Sequence, residues 1–173
     1  MKRNHSIRLI VAAICHPIVL LLMACSQQSS SPTAESRIAR LEQTTSDLKP
    51  GLGEIMGVIQ QHHAKLYYSG IKENWPLAQY QLGEIQEGLD DAAKYYPKFK
   101  EVKASIAELI PTMTKGSLEE VSKSIEQKNK KEFIKAFNKL NIACTSCHRA
   151  AEHPFIVIQA PSEGMFSNQK FEP

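Results

Sequence analysis

The sequence predicts an all-α fold whose helices pack lengthwise as a bundle, and three observations carry that prediction. In this 173-residue chain, apolar residues recur three and four apart over long runs, the period of one helix face. Pro, Gly and Asn punctuate those runs at positions where helices start and stop. No alternation of period two and no internal repeat is evident before residue 154, so nothing suggests a sheet.

Pro50-Gly51 marks the entry to the folded part. Leu52, Ile55, Met56, Ile59, His63 and Leu66 share one face, which predicts a helix over about 52–69 ending near Gly70. Asn74 caps the next helix, with Trp75-Pro76 in its first turn, where proline is tolerated. Its apolar positions Trp75, Ala78, Leu82, Ile85, Leu89, Ala92 and Tyr96 alternate three and four apart, as a bundle seam does, and Pro97 stops it. A third stretch over about 98–110 shows Val102, Ile106 and Leu109 and is expected to end at Pro111. After Gly116, Ser117 is placed to cap a short helix, with Glu120 at the capping-box position and Leu118, Val121 and Ile125 buried. Asn129 caps the last helix, which carries Phe133, Phe137, Leu140, Cys144, Cys147 and His148 along one seam to about Ala151.

The stretch Cys144-Thr145-Ser146-Cys147-His148 is the C-x-x-C-H signature of covalent c-type haem attachment. On a helix its two thiols and imidazole share a face, because residues three and four apart are neighbours. The thiols can then add to the two vinyl groups of one haem while His148 reaches the iron. Two rivals compete. A redox dithiol of the thioredoxin type belongs at a helix N-terminus near a βαβ pattern, whereas this pair lies late in a helical run. A zinc site would use Cys144, Cys147, His148 and His153, but the adjacent Cys147 and His148 depart from the usual zinc spacings.

All helices with C-x-x-C-H on the last one, and Met56 within the first, resemble the class II c-type cytochromes, the cytochrome c′ family. The resemblance covers about 52–150. It implies an antiparallel four-helix bundle, set here at 51–152, holding one covalent haem c near one end. It also implies that the first bundle helix supplies the residue opposite His148, and registering that helix on the family pattern puts Met56 there. Methionine with histidine fills both axial positions and raises the haem potential, which suits single-electron transfer to redox partner proteins. The alternative within the family is a five-coordinate iron that binds small gases such as nitric oxide, with Met56 serving as core filler. His63, seven residues on, shares the face of Met56 about two turns along and is a further candidate contact; a satisfied interior histidine is its plainer reading. His62 is expected to face outward or a helix boundary, and Met165 is a remote ligand candidate. Family members are often homodimers. No acid–base pair stands out near the presumed iron, so an enzyme is not indicated.

Residues 1–24 read as a signal peptide: Lys2, Arg3 and Arg8 precede an apolar run too short and broken to span a membrane. Leu22-Met23-Ala24-Cys25 resembles the lipobox of bacterial lipoproteins, which implies cleavage before Cys25 and lipidation of its thiol. More than one acyl chain gives stable anchoring, at about 0.8 kcal/mol per buried methylene. The resulting place is the bacterial periplasm, on a membrane, with Ser26 compatible with outer-membrane sorting. A zinc-binding or structural lipoprotein is the reading left if no haem is attached. The leader holds three of the 21 basic residues and none of the 18 acidic ones, so the mature chain is formally neutral and nucleic-acid binding lacks electrostatic support. Residues 25–50 read as a lipidated flexible tether, within which 35–47 either forms a loosely attached helix or stays disordered. In the tail, 153–173, the run Phe155-Ile156-Val157-Ile158 is too apolar to hang free and is expected to pack on the bundle.

Overall fold

The computed structural model describes residues 32–99, 102–162, 166 and 169–173. The expected leader, Cys25 and Met165 lie outside the described residues. No helix among the described residues is long and apolar enough to cross a membrane. The chain divides into two compact units, the second starting at Lys49.

In the first unit, α1 (Ala34–Asp47) is a helix, one of the two expectations for 35–47. The Thr33 hydroxyl accepts the Ser36 N–H at 3.2 Å and so caps the helix, and Glu35 sits in the first turn, where the helix dipole favours an anion. Thr44 and Thr45 each donate to the carbonyl four residues back, and Gln43 bonds Asp47 at 2.7 Å. Local polar bonds thus sustain a helix that buries none of its residues.

The second unit holds α2 (Leu52–Ile71), α3 (Trp75–Tyr95), α4 (Ile106–Glu126) and α5 (Lys130–Ala150). Each packs on the next, and α5 packs back on α2, closing a ring of four helices. Asn74 and Asn129 cap α3 and α5 as expected, accepting the Leu77 and Glu132 N–H groups at 3.3 and 3.2 Å. The turns before these caps follow one pattern. Glu73 and Lys128 take positive φ, and Asn74 and Asn129 donate back to Ser69 and Ser124 at 2.9 and 3.0 Å. That is the Schellman turn, which satisfies the last carbonyls of a helix and reverses the chain within three residues. The neighbours it joins are therefore antiparallel.

Packing contacts fix the register of α2 against α5. Phe133 lies over Gly70 so closely that a Cβ there would meet its ring at 2.1 Å. Half-way along, His63 stacks on Phe137 with ring centroids 4.5 Å apart. The N-terminal turns of α2 consequently face the C-terminal turns of α5.

The expected break at Pro111 does not occur: α4 runs unbroken through Pro111 and Gly116, and the described residues before it, 98, 99 and 102–105, are not helical. Pro111 costs the helix a bond to Ala107, about 3 kcal/mol with its ring clash. Ile106, Ile110, Leu118, Val121 and Ile125 are all buried on one face that continues across it. Burying each such side chain contributes about 1.5–3 kcal/mol, so the common face outweighs the local penalty. Ser117 is then mid-helix and donates its hydroxyl to the Thr114 carbonyl at 2.8 Å rather than capping anything. Val102 remains buried although its segment is a loop.

After α5 a third turn of the same kind, with Glu152 at positive φ and the His153 N–H on the His148 carbonyl at 2.8 Å, folds the chain back. The tail then runs along the bundle. Ile158 meets Thr145 of α5, the Tyr68 hydroxyl donates to the Ser162 carbonyl, and Phe171 is buried against Tyr68. Glu172 ends the run on Lys72 at 3.1 Å and on Asn74. The expected apolar packing is only half realised. From 155 to 160 the chain is extended and its side chains alternate, leaving Phe155 and Val157 77% and 62% exposed while Ile156 and Ile158 turn inward.

Candidate functional site

At the end of the bundle where α2 begins and α5 finishes, the helices part around a cavity of about 340 Å³. That lies within the range of small-molecule and cofactor sites, roughly 300–1,000 Å³. All four bundle helices contribute. Leu52, Gly53, Met56 and Ile59 come from α2, and Leu89 from the last turns of α3. Ile106, Leu109, Ile110 and Thr114 come from α4, with Phe99 and Val102 from the loop before it. Cys144, Cys147 and His148 come from α5, and Ala151, His153 and Ile156 follow them. The wall is almost wholly apolar apart from the two thiols, Thr114 and the two imidazoles.

The C-x-x-C-H residues meet as helix geometry requires, one and a fraction turns apart on the cavity side of α5. His148 Nδ1 lies 2.8 Å from the Cys144 carbonyl. A carbonyl only accepts, so Nδ1 carries the proton and Nε2 keeps its lone pair, the tautomer a metal-binding imidazole needs. Burial also holds the His148 pKa below its ordinary value, with the neighbouring His153 acting in the same direction. The ring is a neutral donor.

The thiols differ from a redox pair. Burial pushes Cys144 up to about 12, helped by the adjacent Cys147, whose own pKa burial also raises. Reactive dithiols have lowered values and sit at helix N-termini. This pair sits in the last two turns of α5, where the helix dipole opposes an anion. Both are free thiols. No group of three or more His, Cys, Asp or Glu side chains placed to hold a metal ion is found among the described residues.

Met56 lines the cavity, on α2 across from the motif. His63 does not. It is buried in the bundle, its Nε2–H donates to Asn141 Oδ1 at 2.7 Å, and its ring stacks on Phe137. Seven residues from Met56 is about 10 Å along the axis, which carries it past the cavity into solid core. Its donor is used and burial lowers its pKa, so it is an interior histidine rather than a contact of the cavity. His62 lies partly exposed between α2 and α3, bonded to Gln81 at 2.7 Å.

Sequence reasoning missed the α4 wall, and of its two readings of the 155–158 run it preferred a packing plug to a shield at the cavity. Val102, Ile106 and Leu109 were legible as apolar, but only the ring order of the helices shows that they face the motif. The signal for Ile156 was the alternation of the 155–160 run. His153, considered only as a zinc ligand, reaches the cavity through the Glu152 turn and bonds the Ala151 carbonyl at 2.7 Å through Nδ1. Compared with family models, with curated proteins and with solved structures, the chain gives no match.

Proposed function

We propose that this protein is a monohaem c-type cytochrome that passes single electrons between partner proteins, anchored by lipid on Cys25 to a membrane facing the bacterial periplasm. One observation carries the reading: two neutral thiols, an imidazole with a bare Nε2 and a thioether line a single apolar cavity. The donor set fits haem. Cys144 and Cys147 would hold the haem by thioether bonds, S–H adding across its vinyl groups with no net electron change. His148, held in orientation by the Cys144 carbonyl, and Met56 would hold its iron. The bound haem supplies the one-electron couple of its iron. The apolar walls on α2 and α4 exclude water, and methionine opposite histidine raises the potential. Leader and anchor rest on residues 1–25 as read from sequence.

A second reading, an open iron site that takes up small gases, draws on Leu52 and Ile59, which share the α2 wall with Met56 and offer no ligand. One preparation tests both. Purified from cells able to mature c-type haem, the protein exceeds the lipidated polypeptide by the mass of one haem and gives a low-spin spectrum that turns high-spin in Met56→Ala. A high-spin ferrous form that binds carbon monoxide supports the gas reading. A mass without haem sinks both and leaves a structural lipoprotein.

A further inference from the structure

The residue after the first cysteine of the motif is not free. Thr145 is 9% exposed, and its hydroxyl faces the returning tail instead of its own helix. The Ile158 N–H donates to Thr145 Oγ1 at 3.0 Å, and the same hydroxyl approaches the Ile158 carbonyl at 3.4 Å, the long limit of a useful bond. A mid-helix threonine ordinarily satisfies itself on the carbonyl four residues back, as Thr44, Thr45 and Thr114 do here. Thr145 departs from that habit.

The clasp closes a loop. The chain leaves α5 at Ala150, turns at Glu152 and again over 153–156, where the Ile156 N–H donates to the His153 carbonyl at 3.1 Å, and continues to Ile158, held at its start by the His153–His148 backbone bond and at its end by Thr145. Between those two fixings lie His153 and Ile156, both of which line the cavity. With Ala151, Phe99 and Val102 they are the lining residues, among those described, that no helix of the bundle carries. Phe155 and Val157, largely exposed on the other side of the segment, add little packing on the bundle, Phe155 lying against His153 of its own segment.

We propose that Thr145 is a positioning residue whose bond to Ile158 keeps the 153–158 segment shut as a hinged wall, and that this clasp sets how fast small molecules enter the cavity. The role deepens the electron-transfer reading and rests on it for one readout: a closed wall admits electrons but delays exogenous ligands of the iron. Opening breaks the Thr145 bonds and lifts Ile156 and Ile158 outward but unwinds no helix, so the bundle itself stays folded.

The experiment uses the full chain with Thr145→Val, of nearly the same shape, and Thr145→Ser, which keeps the hydroxyl. Amide exchange at Ile158 and the association rate of imidazole with the haem-loaded protein are followed together. Thr145→Val speeds both by about tenfold, the worth of a hydrogen bond or two, while covalent haem mass is unchanged and Thr145→Ser matches the parent. Val157→Ala alters neither. Should Thr145→Val not fold, Ile158→Pro removes the N–H from the tail side, and faster exchange is then read at the neighbouring Val157 amide together with the imidazole rate. Faster exchange with an unchanged imidazole rate overturns the proposal, because the tail is then mere packing; unchanged exchange overturns it as well. If the parent carries no haem, the function reading has failed, and the uptake rate of anilinonaphthalene sulfonate into the cavity takes the place of imidazole and decides the clasp alone.

Discussion

The two ends of the bundle are built from the same helices to opposite specifications. Where α2 ends and α5 begins, Phe133, Phe137, Leu66 and Leu82 have no exposed surface, and Trp75 meets Phe133 edge-on with centroids 6.2 Å apart. Gly70 gives up its side chain so that a phenyl ring can take the space. At the other end Leu52, Met56, Leu109 and Cys144 are only partly buried, around a hollow. The packed end therefore holds the fully buried aromatic core, while the other end holds its apolar walls apart.

Truncation should separate the two ends by a wide margin. Phe133→Ala, emptying a site with no room to relax, is expected to cost about 3–5 kcal/mol, read as a large drop in the urea midpoint. Met56→Leu, a swap of similar volume on a wall that is already open, should cost less than about 1.5 kcal/mol. Its effect belongs in the haem spectrum. Comparable losses at the two sites would erase the distinction between a packed end and a hollow one.

Acid probes both ends at once. Burial holds His63, in the packed half, and His148, at the hollow, below the ordinary imidazole value of 6.5. Between that lowered value and 6.5 the unfolded chain takes up a proton that the folded chain refuses. Stability of the haem-free protein is thus full above 6.5 and falls as pH drops through the window, by up to about 1.4 kcal/mol per pH unit for each group. Unfolding curves of His63→Gln and His148→Gln between pH 7 and 5 should each show a shallower decline than the parent. An unchanged slope in His63→Gln would mean that its bond to Asn141 offsets the burial.

Much of this contrast could be read from the residues. The α3 seam is buried from Trp75 to Ala92 at the very positions its spacing gives, because a helix stripe alternating three and four apart has only one way to face a core. Cys144, Cys147 and His148 follow from the motif, since their meeting is a local property of one helix. What sequence misjudged depended on long-range packing. Pro111 broke the expected helix on local grounds, whereas the buried face either side of it decided otherwise. For His63 the plainer reading, an interior histidine, is the one the structure shows, its distance along the axis from Met56 separating core from cavity. The tail was legible as apolar; that only alternate residues turn inward needed the extended backbone that Thr145 fixes.

The smallest effects lie in the three turns, where the ends differ least. Glu73, Lys128 and Glu152 have φ of 60°, 51° and 64°, a conformation costing a side-chain-bearing residue about 1–2 kcal/mol and glycine almost nothing. Glycine returns about 0.5–1 kcal/mol of that through the greater freedom of the unfolded chain. A net gain of about 0.5 kcal/mol is expected for Lys128→Gly, which serves as the reference at the packed end. Glu73→Gly should gain less, because it also removes the exposed ion pair with Lys130 at 3.6 Å. Glu152→Gly relieves the same strain at the hollow end, yet its turn aims His153 at the cavity. If that turn is held by its own backbone bonds, Glu152→Gly raises the melting temperature somewhat less than Lys128→Gly, because it also removes the exposed ion pair with Lys103 at 3.8 Å, and leaves Ile158 exchange unchanged. Faster exchange without a gain in melting temperature would show that the side-chain-bearing residue was what kept the wall in place.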